Sequence, residues 1–265
     1  MALLEMQKLG AKLLVFGGVI LVISAAATLY NSFRNGVMSR LYAEAAGYPP
    51  FFRGSSESTA AVRRIASYRG QRSTRMLLDI GLARGPMIWP DTQTEAIQLL
   101  RERNDPDTAI ALANLLQPHE RLGTRQAVAT ALKELPCKIE CVRSVLHYLE
   151  RTSRGEPNEE DLTLFPPGTE NLRVDEKKDQ QVLYDTLYAV LQREKLATLT
   201  NLDAIYGLGS DDSSPFGLEL VSRIQLHEAC PYLLRSDKLA KSSPPGLHSV
   251  PPKQLQAAIA SLNCQ

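Results

Sequence analysis

Between Lys12 and Arg34 the chain carries no charged side chain, and from Leu13 to Ile23 every residue is apolar or glycine. A helix needs about 20 apolar residues to cross a ~30 Å hydrocarbon core. The run reaches that length once its softer tail, Ser24 to Phe33, is counted. Residues 13–33 therefore read as a single transmembrane anchor behind a short tail, 1–12, with everything after Phe33 a body held at a membrane. The same order also fits a cleavable secretory signal: a weakly basic lead with Lys8 and Lys12, an apolar core, then Ala25 and Ala27 as small residues before a cut. Retention is the favoured reading because the uncharged stretch continues past that point through Leu29, Tyr30 and Phe33, and a tyrosine suits the membrane interface. A buried core helix fits less well, since no polar residue recurs there at helical spacing. Lys8 and Lys12 on one side nearly balance Arg34 and Arg40 on the other. The common arrangement of a leading anchor then places the tail in the cytoplasm and residues 34–265 on the exported, periplasmic or extracellular, side.

Residues 34–56 read as a juxtamembrane helix and linker. Val37 to Ala46 continues a helix that Gly47-Tyr48-Pro49-Pro50 ends, because proline has no amide to donate and disfavours helix before it. Phe51 and Phe52 either dip into the membrane interface or, the favoured reading, seal the first helix pair, and Gly54-Ser55-Ser56 reads as a hinge. From 57 to 153 the pattern is regular. Ala61, Ile65 and Ala66 mark one helix, and Met76, Ile80 and Ala83 a second that Gly85-Pro86 stops. Asp91 is placed to cap a third with Ala96, Ile97 and Leu100. Asp105-Pro106 is an N-cap followed by proline at the first helical position. Thr124 reads as the start of the fifth helix. Ala109-Leu112-Ala113-Leu116, Val128-Ala131-Leu132-Leu135 and Val142-Val145-Leu146-Leu149 then repeat one spacing, the mark of helices with a single stripe to bury.

Ala61-Val62, Ala96-Ile97 and Ala127-Val128 sit at similar places in successive pairs, and such periods belong to helical solenoids. Asp105-Pro106-Asp107-Thr108-Ala109-Ile110-Ala111-Leu112 resembles the second helix of HEAT-like repeats, and Arg125-Gln126-Ala127-Val128-Ala129-Thr130-Ala131-Leu132 resembles their alanine-rich first helix. The resemblance covers 57–153 and is loosest in the first pair, at Gly70 and Arg72. It implies a scaffold whose concave surface, lined by the second helix of each pair, takes a protein partner. Asn114, Gln117, Arg143 and His147 are the candidate contact residues. The alternative is a compact helical bundle of unrelated origin. Arg63, Arg64, Arg69, Arg72 and Arg75 make the first pair basic, either a solvated face or, on a cytoplasmic body, a surface for anionic lipid.

The chain has four cysteines. Cys137 and Cys141 are four apart at the start of a helix; they read as a local disulfide if Cys137 lies in the non-helical cap, as part of a metal site if other ligands join, or as two small buried residues. Cys230 and Cys264 would then tie the last helix back to the one before it. An exported body favours the two disulfides and a cytoplasmic one favours free thiols; four cysteines allow three pairings.

Residues 154–178 form an acidic, proline-containing loop with little to bury and without the ordered spacing of a calcium site. Helical stripes return over 179–265, at Leu183-Leu187-Val190-Leu191, at 200–206, after Ser214-Pro215, and at Leu255-Ala258-Ile259-Leu262; they continue the stack or cap it. The fold class expected is all-α: one N-terminal transmembrane helix and a HEAT-like or irregular helical body. A net charge of +1 argues against a nucleic-acid binder. His119, His147, His227 and His248 are scattered, Gly207-Leu208-Gly209 lacks the strand and the further glycine or lysine of a nucleotide loop, and no nucleophile elbow is present. His227-Glu228 beside Cys230 is the nearest thing to a thiol–histidine pair. No cofactor, metal or small-molecule substrate is implied, and an enzyme is not expected. The expectation is a membrane-anchored scaffold or adaptor that binds a protein partner near the bilayer. The alternative is an accessory subunit of a larger membrane complex, with Gly17-Gly18 permitting close helix approach; a secreted helical protein after signal cleavage ranks below both.

Overall fold

The computed structural model describes residues 28–103, 106–117, 121–154, 170–210, 213–242 and 252–265. Twelve α-helices and no strand occur among them, so the body is all-α. Most of the expected anchor (13–27 of 13–33), the tail 1–12, most of the acidic loop (155–169) and the proline-rich stretch 243–251 lie outside the described residues. No helix among the described residues is long and apolar enough to cross a membrane.

The first described helix, α1, runs through residues 28–46. Its second half is amphipathic: Met38, Leu41, Ala45 and Ala46 are buried, the spacing of one helix face. Gly47 ends it at φ +71°, with the Tyr48 amide bonded back to the Ala43 carbonyl at 2.9 Å, a left-handed C-terminal cap that glycine adopts without strain. A Cβ on Gly47 would also stand 2.5 Å from the Met87 carbonyl oxygen. Two physical reasons thus fix glycine at this corner.

Eight helices follow in alternation: α2 (Ser55–Ser67), α3 (Gln71–Gly81), α4 (Pro90–Arg101), α5 (Pro106–Ala113), α6 (Leu122–Glu134), α7 (Ile139–Ser153), α8 (Glu170–Arg193) and α9 (Lys195–Tyr206). Helices α2, α4, α6 and α8 pack side by side in one layer, and α3, α5, α7 and α9 in a second. Ala61-Val62-Ile65, Ala96-Ile97-Leu100 and Val128-Ala131-Leu132 are the buried stripes of the first layer; Leu77-Ile80, Ala109-Leu112 and Val142-Val145-Leu146 face them from the second. The alternation crosses the acidic loop and continues through α9, because α8 packs on α6 and α9 on α7. The chain closes with α10 (Pro215–Arg223), a 3-10 turn (His227–Ala229), α11 (Cys230–Ser242) and α12 (Pro252–Ser261), where α12 lies against both α10 and α11. One apolar cluster extends from Leu41 to Leu262.

Helix ends differ from the sequence reading in several places: Ser55 and Ser56, read as a hinge, open α2; residues 170–178 of the expected loop begin α8; and Cys230 opens α11, a helix the pattern did not show. Pro90 occupies the first turn of α4 behind Trp89 as N-cap, so Asp91 does not cap it; its carboxylate accepts from the Ser55 hydroxyl at 3.0 Å instead. Thr124 lies inside α6 rather than at its start, buried and donating to Gln93 Oε1 at 3.3 Å. For Asp91 and Thr124 alike, the side chain has a partner on a neighbouring helix.

Both expected disulfides are formed, Cys137–Cys141 and Cys230–Cys264. Cys137 lies two residues before α7, outside the helix and next to its N-cap Lys138, which is what lets two cysteines four apart meet. The second bond joins the start of α11 to the residues just past α12.

Candidate partner-binding face

Helix α7 lies in the middle of the second layer, between α5 and α9. Its apolar stripe is buried, and residues three and four apart on the other side form a continuous polar strip. Four hydrogen bonds lash that strip to its neighbours. Ser144 Oγ donates to Asn114 Oδ1 at 2.9 Å, and Arg151 Nη1 to Gln117 Oε1 at 2.9 Å, both across to the end of α5. On the other flank Arg143 Nε donates to Asn201 Oδ1 at 3.2 Å, and the Tyr206 hydroxyl donates to Glu150 Oε2 at 2.9 Å. Asn201 is itself buried and donates to the Ile139 and Ala197 carbonyls, so its amide is fixed on both sides. Glu150 is also paired with Arg154.

All four residues expected at the partner surface therefore fall on this α5–α7–α9 stretch. Three of them, Asn114, Gln117 and Arg143, spend polar atoms on bonds between helices and act as struts. His147 sits one turn from Arg143, Ser144 and Arg151; it is exposed, and its ring makes no hydrogen bond among the described residues. Asn114 and Arg143 are exposed as well. Their conformations are held by the struts, which leaves a surface with little side-chain entropy to lose on binding. Ser144, Glu150, Arg151, Asn201 and Tyr206 complete the face. The sequence signal for three of them is the spacing of 144, 147 and 151 and of 143, 147 and 150 along α7; nothing in it points to Asn201 or Tyr206.

Electrostatics reinforce this rigidity. Burial, helped by the bond to the Glu150 carboxylate, pushes the Tyr206 phenol well above its ordinary value of 10.0, so it stays a donor at any physiological pH. Behind the face, Arg125 of α6 is 2% exposed and donates from Nη1 to the Tyr148 hydroxyl at 2.8 Å. Burial raises the Tyr148 phenol despite the opposing pull of the Arg125 charge.

Other concavities carry less. A cleft of about 640 Å³ between the end of α7, α10 and α12 is lined by Arg154, Phe216 and Glu219 among several serines. Cys230 is bonded to Cys264 and offers no thiol to His227, whose Nδ1 lies 3.1 Å from the Leu262 carbonyl. Glu228 pairs with Lys195, and the hydrogen bond from that ammonium lowers its carboxyl pKa. Among the described residues no group of three or more His, Cys, Asp or Glu side chains is placed to hold a metal ion. Compared with known proteins, the chain matches no family model, no curated protein and no solved structure.

Proposed function

We propose that this protein is a membrane-anchored helical scaffold or adaptor. Residues 13–33 hold it in the bilayer and the α5–α7–α9 face receives a protein partner. The observation that carries the binding role is the strutted polar strip around His147, a pre-ordered surface on the second helices of successive pairs, where HEAT-like scaffolds take their partners. The alternation of two layers through α9 is the geometry such repeats produce. The two disulfides support an oxidising surrounding, hence the body on the exported side.

The test is site-specific crosslinking in native membranes. A photoreactive residue at His147 is expected to give a discrete heavier species, and one at Gln98, exposed on α4 in the other layer, is expected not to. Equal products from both positions, or none from His147, would sink the assignment. An adduct that is itself an integral membrane protein would favour the accessory-subunit reading over a recruited soluble partner.

A further inference from the structure

Helix α1 does two things along its length. Residues 28–33 are exposed on all sides, with Leu29 72%, Tyr30 64% and Phe33 73% exposed. Six residues of helix make a projection of ~9 Å beyond the body. From Arg34 onward the same helix is fastened down. The Arg34 guanidinium lies 5.5 Å from the Tyr68 ring centroid, and its Nη2 donates to the Arg69 carbonyl at 3.0 Å. Arg72 Nη2 donates to Ser39 Oγ at 2.9 Å. At the far end the Tyr42 hydroxyl donates to the Arg84 carbonyl, and Met38, Leu41 and Ala45 are in the core. The projecting end cannot pivot freely against the body.

These clamps also place the α2–α3 turn level with the first charged residue of α1. Arg69 and Arg72 are exposed there, and neither they nor Arg34 pairs with a carboxylate among the described residues. Arg63 pairs with Glu95 and Arg101 with Glu134, while Arg64 and Arg75 are further exposed cations of the first helix pair. Three cations without carboxylate partners thus ring the base of an apolar projection, and no charge precedes them in sequence back to Lys12.

We propose that this end of the molecule is a bilayer-contact surface. Leu29, Tyr30 and Phe33 lie in the interfacial layer, and Arg34, Arg69 and Arg72 hold lipid headgroup phosphates. The anchor then fixes the tilt of the body as well as its location. The inference rests on the proposed anchor. Its chemistry is that of an apolar segment capped by cations, whose guanidinium groups match the headgroup phosphates found in either leaflet.

The experiment uses the full chain in vesicles of equal parts phosphatidylcholine and phosphatidylglycerol, with a headgroup spin label as quencher. A fluorophore is placed at Gln71→Cys at the head of α3 or at Gln98→Cys on α4, both exposed positions. Strong quenching at 71, little at 98, and loss of most of the quenching at 71 in an R69E/R72E variant of unchanged helicity are expected. If the chain floats with the vesicles but 71 is quenched no more than 98, or if the double variant stays fully quenched, the contact surface is overturned while the anchor stands. A chain that does not float with the vesicles overturns the anchor and the contact together.

Discussion

Replacing Cys230 and Cys264 by alanine releases α12 from the head of α11. The two cysteines are 34 apart in sequence, and in the chain-entropy treatment closing a loop of that size stabilises the fold by about 4 kcal/mol. The Cys137–Cys141 loop, with a separation of four, gives about 2 kcal/mol on the same footing. The longer tether also carries the more vulnerable element. Helix α12 is held by Leu255, Ala258 and Leu262, whereas Cys137 and Cys141 are 1% and 0% exposed inside the main stack. Thermal unfolding without reductant is expected to show C230A/C264A melting lower by on the order of 10 °C. Hydrogen exchange should locate the first loss of protection in α11 and α12. A stability change below about 1 kcal/mol, or exchange that rises uniformly from α2 to α7, would refute the reasoning.

Two further outcomes follow from the same contacts. Gly47→Ala must place a Cβ 2.5 Å from a carbonyl oxygen at positive φ, so it is expected to cost at least about 2 kcal/mol. Gly36→Ala, in the same helix with open space around it, should gain about 0.5–1 kcal/mol; paired thermal melts check the opposite signs. Burial first, and then the Asp79 charge, raise the Tyr42 phenol to about 12, so the folded chain keeps a proton that the unfolded chain releases near pH 10. Stability is therefore expected to be at its full value below pH 10 and to fall as pH rises from 10 toward 12. Denaturation midpoints across that range check it, and a smaller loss in Tyr42→Phe assigns it.

The buried stripes were legible because each is a repeat of one helical spacing: Val142-Val145-Leu146-Leu149 has one orientation that hides it, whatever lies opposite. The two disulfides were only partly legible: a Cys137 outside its helix permitted the local bond, but free thiols and other pairings fitted the spacing as well, and Cys230 opens α11, a helix the pattern did not show. Contacts that depend on stacking were not. Arg125 stands three residues before Val128 and seven before Leu132, on the buried stripe itself, but an arginine there reads as exposed until α7 supplies the Tyr148 hydroxyl. Asn201 looks like an ordinary helix-surface residue, and only the α7–α9 packing makes it the strut for Arg143. Asp91 shows the reverse case, a residue type that suits a cap but is drawn off by Ser55 from another helix. Local pattern reports which side of a helix is buried; the register between helices decides which polar groups meet.

The central claim is a chain kept in the membrane with an oxidised helical body. The intact mass of the protein extracted from native membranes, without reductant and with a thiol-alkylating reagent present, tests it most directly. The full-length mass with no alkylated cysteine is expected. A mass lacking the first ~27 residues, the span of a cleaved signal, would contradict the retained anchor. A full-length mass carrying alkylated thiols would contradict the disulfide-bonded, exported body.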